Sequence, residues 1–201
     1  MFSTFKFARL VAASAALLAV TAHAELQVWK MTGTVYEELT PQGDPFVPPS
    51  SYYAHGKTVT VNYVVDTAAT ATDGFFYKSV LAFTVNGIGS RADSNSYIWP
   101  DGVGINGINV SPVKARADKV SFLSFNRLYG AKFTNVSDAL NDFSTATANG
   151  TDVDYRVDFG SAGSVRVKPT SFDKQTIPAH CKSPLYLLID PRCAPLLPLV
   201  H

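Results

Sequence analysis

In two stretches of this chain, apolar and polar residues alternate one by one, and that alternation constrains the fold more than any other feature. From Lys57 to Asp66, Val59, Val61, Tyr63 and Val65 are interleaved with Thr58, Thr60 and Asn62. From Asp152 to Phe159, Val153, Tyr155, Val157 and Phe159 are interleaved with Asp152, Asp154, Arg156 and Asp158. A period of two sends successive side chains to opposite faces of a strand, so each stretch describes a sheet with one dry face and one wet face.

The rest of the chain extends that reading. Leu26 to Leu39 is a long strand, buried partly on both faces or bent at Gly33. Ser79 to Val85 is a strand ending on the turn signal Asn86-Gly87. Ser96 to Trp99, Gly104 to Val110 and Lys119 to Asn126 are further short strands, and Ser164 to Lys168 pairs back through the turn at 159–163. Pro41, Pro45, Pro48 and Pro49 make 41–51 a loop. Asn135 to Phe143 holds a short helical turn with Ser137 as a cap. No amphipathic helix of about ten residues or more separates the strands. The expected fold is all-β: one antiparallel β-sandwich or jelly-roll-like domain over residues 25–168.

The first 24 residues have a different character. Lys6 and Arg9 precede a short apolar run, Leu10 to Val20, and Ala22-His23-Ala24 places small residues at a cleavage site. That is the layout of a secretory signal peptide, so the mature chain is expected to begin at Glu25 and to be secreted or periplasmic. The apolar run is too short for a bilayer span of roughly 20 residues, and no membrane span is expected in the mature chain. Cleavage removes Lys6 and Arg9 and takes the formal net charge from +1 to −1. A near-neutral surface offers no electrostatic case for nucleic acid or an anionic membrane.

From Pro169 the composition becomes proline-rich and apolar, and 169–201 reads as an irregular tail. It carries the only two cysteines, Cys181 and Cys193. An oxidising compartment favours their pairing as a disulfide.

Motifs for chemistry are sparse. Gly102, Gly104 and Gly107 satisfy the GxGxxG spacing, but Pro112 stands where the helix of a nucleotide site would run. No GxSxG elbow occurs; His55 and His180 sit in a loop and in the tail, and no catalytic residue is assigned. Asp152, Asp154 and Asp158 share one face of a strand and form a weak candidate Ca²⁺ site, with Arg156 among them favouring a solvated, charge-paired face instead. No other cofactor is implied. Aromatic residues in or near loops are the candidates for stacking on sugars: Tyr52, Tyr53, Tyr97 and Trp99. The competing reading has these rings plugging the ends of the core.

Two stretches carry a family resemblance: Thr32-Gly33-Thr34-Val35, and Gly56 to Thr67 with its Gly-x-x-Val start and Tyr-x-x-Asp end. Together with Ser79 to Asn86 they resemble bacterial exported proteins of the PEP-CTERM type, over roughly a third of the chain. The resemblance implies an extracellular β-sandwich with a role in matrix or surface assembly. The sorting tail of that family has no counterpart here, since Leu185 to Ile189 is short and Asp190, Pro191 and Arg192 follow. The leading expectation is therefore an exported, non-catalytic protein with a structural, adhesive or matrix role at the cell surface. A carbohydrate-binding module is the alternative, and a secreted hydrolase with an unrecognised site the third reading. The expected partners are a surface polysaccharide or a matrix protein.

Overall fold

A computed structural model describes residues 26–40, 51–99, 105–128, 132–150 and 152–181. Ten strands run β1 (Leu26–Leu39), β2 (Thr58–Asp66), β3 (Phe76–Tyr77), β4 (Val80–Val85), β5 (Ile88–Arg91), β6 (Tyr97–Trp99), β7 (Ile105–Val110), β8 (Phe122–Leu128), β9 (Val153–Asp158) and β10 (Ser164–Gln175). Among the described residues one α-helix, α1 (Val136–Asn149), lies between β8 and β9. All ten strands belong to a single antiparallel sheet in the order β3-β6-β7-β8-β9-β10-β1-β2-β4-β5.

The β content is as expected, but the two-sheet sandwich or jelly roll is not. One strongly curled sheet, close to half a barrel, wraps its own core. Register shifts mark where it bends: Thr32/Gly33 and Val35/Glu37 in β1, and Val64/Val65 in β2. A shift of this kind adds local twist to one strand. At the first of them Gly33 faces Pro169. A Cβ on Gly33 would lie 2.6 Å from the Lys168 carbonyl oxygen, so the close approach of β10 requires glycine there. Pro169 is tolerated because it sits at the same irregularity.

The alternation read from the sequence decides which side is inside. Val59, Val61, Tyr63 and Val65 of β2, and Tyr155 and Val157 of β9, all face the concave side and are buried. There they join Trp29, Phe83, Ile98, Ile108, Phe125 and Phe172 in one apolar cluster. A fully buried side chain of this size contributes roughly 1.5–3 kcal/mol. The expected end of β10 at Lys168 is also corrected. The strand runs on to Gln175, pairing along β1 as far as Val28. What was read as the start of the tail, 169–175, is therefore part of the sheet, and Phe172 is a core residue.

The helix is longer than the single turn expected. Val136, Ala139, Leu140, Phe143, Ala146 and Thr147 form its buried stripe, at the three- and four-residue spacings of an amphipathic helix. Phe143 meets Phe125 at 5.2 Å and Phe172 at 6.2 Å between ring centroids, which seats the helix in the concavity. Asn135, not Ser137, is the N-cap; its side-chain oxygen accepts from the Asp138 amide at 2.9 Å. Gly150 closes the other end at φ 66°, donating to the Ala146 and Thr147 carbonyls.

Leu26, Val28, Val64, Ala82 and Cys181 form a small second cluster, separate from the main core. Cys181 is fully buried in it. Cys193 lies outside the described residues, as do residues 1–25 and the rest of 182–201. Among the described residues no helix is long and apolar enough to cross a membrane.

Candidate functional site

Strand β6 carries Tyr97 and Trp99 on one face and Ile98, fully buried, on the other. The edge strand β3 pairs with it, Phe76 opposite Ile98 and Tyr77 opposite Tyr97. Phe76 is buried, so Phe75 and Tyr77 are left on the outer face beside Tyr97 and Trp99. The four rings touch in a closed set. Phe75 stacks on Trp99 at 5.6 Å and 30°, and meets Tyr97 edge-on at 5.1 Å. Tyr77 lies 5.6 Å from Tyr97 and 5.5 Å from Phe75. Tyr77 is 40% exposed, and the other three rings are half-buried. The four rings form an aromatic platform on the convex face at the sheet edge, partly open to solvent.

The ladder continues this face across the next three strands. Trp99 faces Gly107, Gly107 faces Asn126, and Asn126 faces Asp154. One row over, Tyr97 faces Asn109, Asn109 faces Ser124, Ser124 faces Arg156, and Arg156 faces Arg166. A groove of about 320 Å³ opens there, lined by Leu39, Phe122, Ser124, Asn126, Asp154, Arg156, Asp158 and Arg166. Gly107 carries no side chain between the platform and the groove. A Cβ on it would sit 2.5 Å from the Phe125 carbonyl oxygen, so β8 approaches too closely for any other residue.

The groove is laced by ion pairs. Arg166 donates to Glu37 at 3.0 Å and lies 3.6 Å from Asp154. Arg156 donates to Asp158 at 2.9 Å. Tyr36 donates to Asp154 at 3.3 Å. Partial burial, followed by the Asp154 carboxylate, raises the Tyr36 pKa. The hydrogen bond to Glu37, followed by the Asp154 charge, raises that of Arg166. Each guanidinium has five N–H donors, more than these contacts occupy.

The carboxylates proposed for Ca²⁺ are dispersed by this arrangement. Asp154 and Asp158 hold the partners just described, and Asp158 also accepts from Ser121 and the Gly160 amide. Asp152 is outside the strand at φ 52°, with Arg127 3.7 Å away. Among the described residues no three His, Cys, Asp or Glu side chains converge as a metal site.

Tyr53 does not belong to the sugar-stacking set. It is 1% exposed and donates to Asp118 at 2.7 Å inside the core. The side chain of Tyr52 lies outside what is described, as do Gly102 and Gly104. Gly107 stands within β7, so the GxGxxG run leads into a strand rather than a helix. His55 is exposed in a turn, with its backbone amide bonded to Glu38. Of these residues Tyr97, Trp99, Asp154, Asp158 and Arg156 were singled out from the sequence; Phe75, Tyr77, Asn126 and Arg166 were not among its site candidates. The available signal was Phe75-Phe76-Tyr77, whose outer two residues share a parity with each other and not with Phe76.

Comparison with family models, curated proteins and solved structures finds no match to this chain.

Proposed function

We propose that this protein is an exported, non-catalytic recognition module that binds a saccharide, serving adhesion or matrix assembly at a bacterial cell surface. One observation carries the reading: four aromatic rings, Phe75, Tyr77, Tyr97 and Trp99, gathered on the convex face at the sheet edge. Burying such rings would be favourable, yet these remain partly open to solvent. The apolar faces of pyranose rings stack on surfaces of this kind, and flanking amides and hydroxyls satisfy the sugar's polar rim. Asn126, half-buried, stands in that flanking position.

The signal-like first 24 residues and the PEP-CTERM resemblance support export and a surface role. Support for a hydrolase is weaker. Asp154 and Asp158 are tied to arginines, and His55 is an exposed loop residue.

A glycan-array screen of purified residues 25–201, with and without calcium, tests the proposal. Saturable binding to a saccharide class, independent of calcium and lost in Trp99→Ala, supports it. No binding in either condition contradicts it.

A further inference from the structure

We infer that the groove lined by Asn126, Asp154 and Arg156 is a second subsite of the aromatic platform, and that the ligand is a neutral, extended oligosaccharide lying across the strands. The inference rests on the saccharide reading and adds the ligand's charge, length and direction.

Direction follows from register. The line Trp99, Gly107, Asn126, Asp154 crosses four neighbouring strands at matched positions. Three inter-strand steps of about 4.8 Å put Asp154 roughly 14 Å from Trp99. A single sugar cannot touch both ends; a chain of several can. Gly107 carries no side chain on that line and is itself buried, with the Asn126 side-chain oxygen 3.2 Å from where a Cβ would lie, so the Trp99 ring and the Asn126 amide are consecutive surface groups along it.

Charge follows from the lining. Sugar hydroxyls both donate and accept. The groove offers both kinds of partner: guanidinium donors on Arg156 and Arg166, carboxylate acceptors on Asp154 and Asp158, and the half-buried Asn126 amide, whose oxygen already accepts from the buried Ser124 hydroxyl at 3.1 Å. With Glu37 bound to Arg166, three carboxylates stand against two guanidiniums. That balance is unfavourable for an acidic chain. A neutral polyol takes up spare donors and acceptors without breaking the ion pairs.

The test is titration of residues 25–201 with cellobiose, cellohexaose and a galacturonate oligomer, at low and high salt. The controls are Trp99→Ala and the double variant Arg156→Gln with Asn126→Ala, each checked for an unchanged melting transition. The account expects cellohexaose to bind about tenfold more tightly than cellobiose, the scale of one charge-assisted hydrogen bond. It expects that gain to vanish in the groove double variant while cellobiose binding persists, with little dependence on salt. Equal affinity for the two lengths, a gain that survives the double variant, or preference for the galacturonate oligomer overturns the second subsite or its neutral ligand, and leaves the platform reading standing. Failure of all three probes to bind overturns both.

Discussion

The phenol of Tyr53 donates to the carboxylate of Asp118 at 2.7 Å, in the interior of the half-barrel and 65 residues away in sequence. Asp118 also receives two hydrogen bonds from Arg116, at 2.8 Å and 2.7 Å, and that ion pair is 2% exposed on both sides. The guanidinium lies 5.1 Å from the centre of the Phe83 ring. The connection between β7 and β8 is thus pinned to the core by a buried charge pair. Removing one member leaves the other charged and unpaired. Arg116→Met should cost about 3–5 kcal/mol, and Arg116→Met with Asp118→Leu should cost clearly less than the single change. Urea unfolding of the three proteins measures this.

The hydroxyls of Tyr63 and Tyr155 meet at 2.8 Å, fully buried. Either phenylalanine variant alone strands a buried hydroxyl, a loss of about 1–3 kcal/mol. The double variant Tyr63→Phe, Tyr155→Phe removes both polar groups and should lie close to the wild type. A double-mutant cycle in denaturant gives the coupling directly.

Burial raises the pKa of Tyr53, Tyr63 and Tyr155 above the ordinary value of 10.0, with the Asp118 charge adding to the effect at Tyr53. A folded-state pKa above the unfolded one means that the native state holds the proton more tightly. Stability from these groups is therefore full below about pH 10 and falls as the pH rises past it. Melting temperature measured between neutral and strongly alkaline pH should decline only in that upper range. Tyrosinate absorbance from these three residues should appear together with unfolding.

Gly107→Ala sets a methyl against the Phe125 carbonyl, a backbone atom of the neighbouring strand. The strain should cost about 1–3 kcal/mol. The methyl also presses on the Asn126 side-chain oxygen, 3.2 Å from where the Cβ would lie, so saccharide affinity should fall along with stability. Calorimetric melting and ligand titration of the same sample follow the two effects.

The expected Cys181–Cys193 bridge closes a short loop, and on the chain-entropy estimate it adds about 3 kcal/mol. Cys181 is buried against Leu26, Val28, Val64 and Ala82. Thiol labelling under denaturing, non-reducing conditions should modify neither cysteine, and reduction should lower the unfolding midpoint.

Much of the fold was readable because a period of two is a local signal. β2 and β9 are correct in place and in facing, down to Tyr63 and Tyr155 on the inner side. Alternation says which face is dry but not what covers it. A second sheet and the sheet's own curvature leave the same pattern in Val59, Val61 and Val65. The curl arises at irregularities such as Gly33 opposite Pro169, a contact between positions far apart in sequence. α1 was underestimated because Ala139, Ala146 and Thr147 make a faint apolar stripe, and Ser, Thr and Asn interrupt it with weak helix propensity. Its stability comes from packing against Phe125 and Phe172, which the local sequence does not display.

The site was legible in halves. Tyr97 and Trp99 were singled out as exposed rings, and they are half the platform. Tyr53 has equal aromatic character but sits beside a buried Asp118, a pairing that only the fold reveals. Of the three carboxylates read as sharing a strand face, Asp154 and Asp158 do so with Arg156, while Asp152 lies outside the strand. The decisive partner of Asp154, Arg166, comes from the next strand, and the groove exists only through that neighbour.

The chain contains two tryptophans, and the fold separates them: Trp29 is buried against Phe172, while Trp99 stands in the platform. Intrinsic fluorescence therefore reports on the proposed site against an internal reference. On titrating residues 25–201 with cellohexaose, the account predicts a saturable change in tryptophan emission that persists in Trp29→Phe and is absent in Trp99→Phe. An unchanged spectrum throughout, or a change that follows Trp29 instead, would contradict saccharide recognition at the platform.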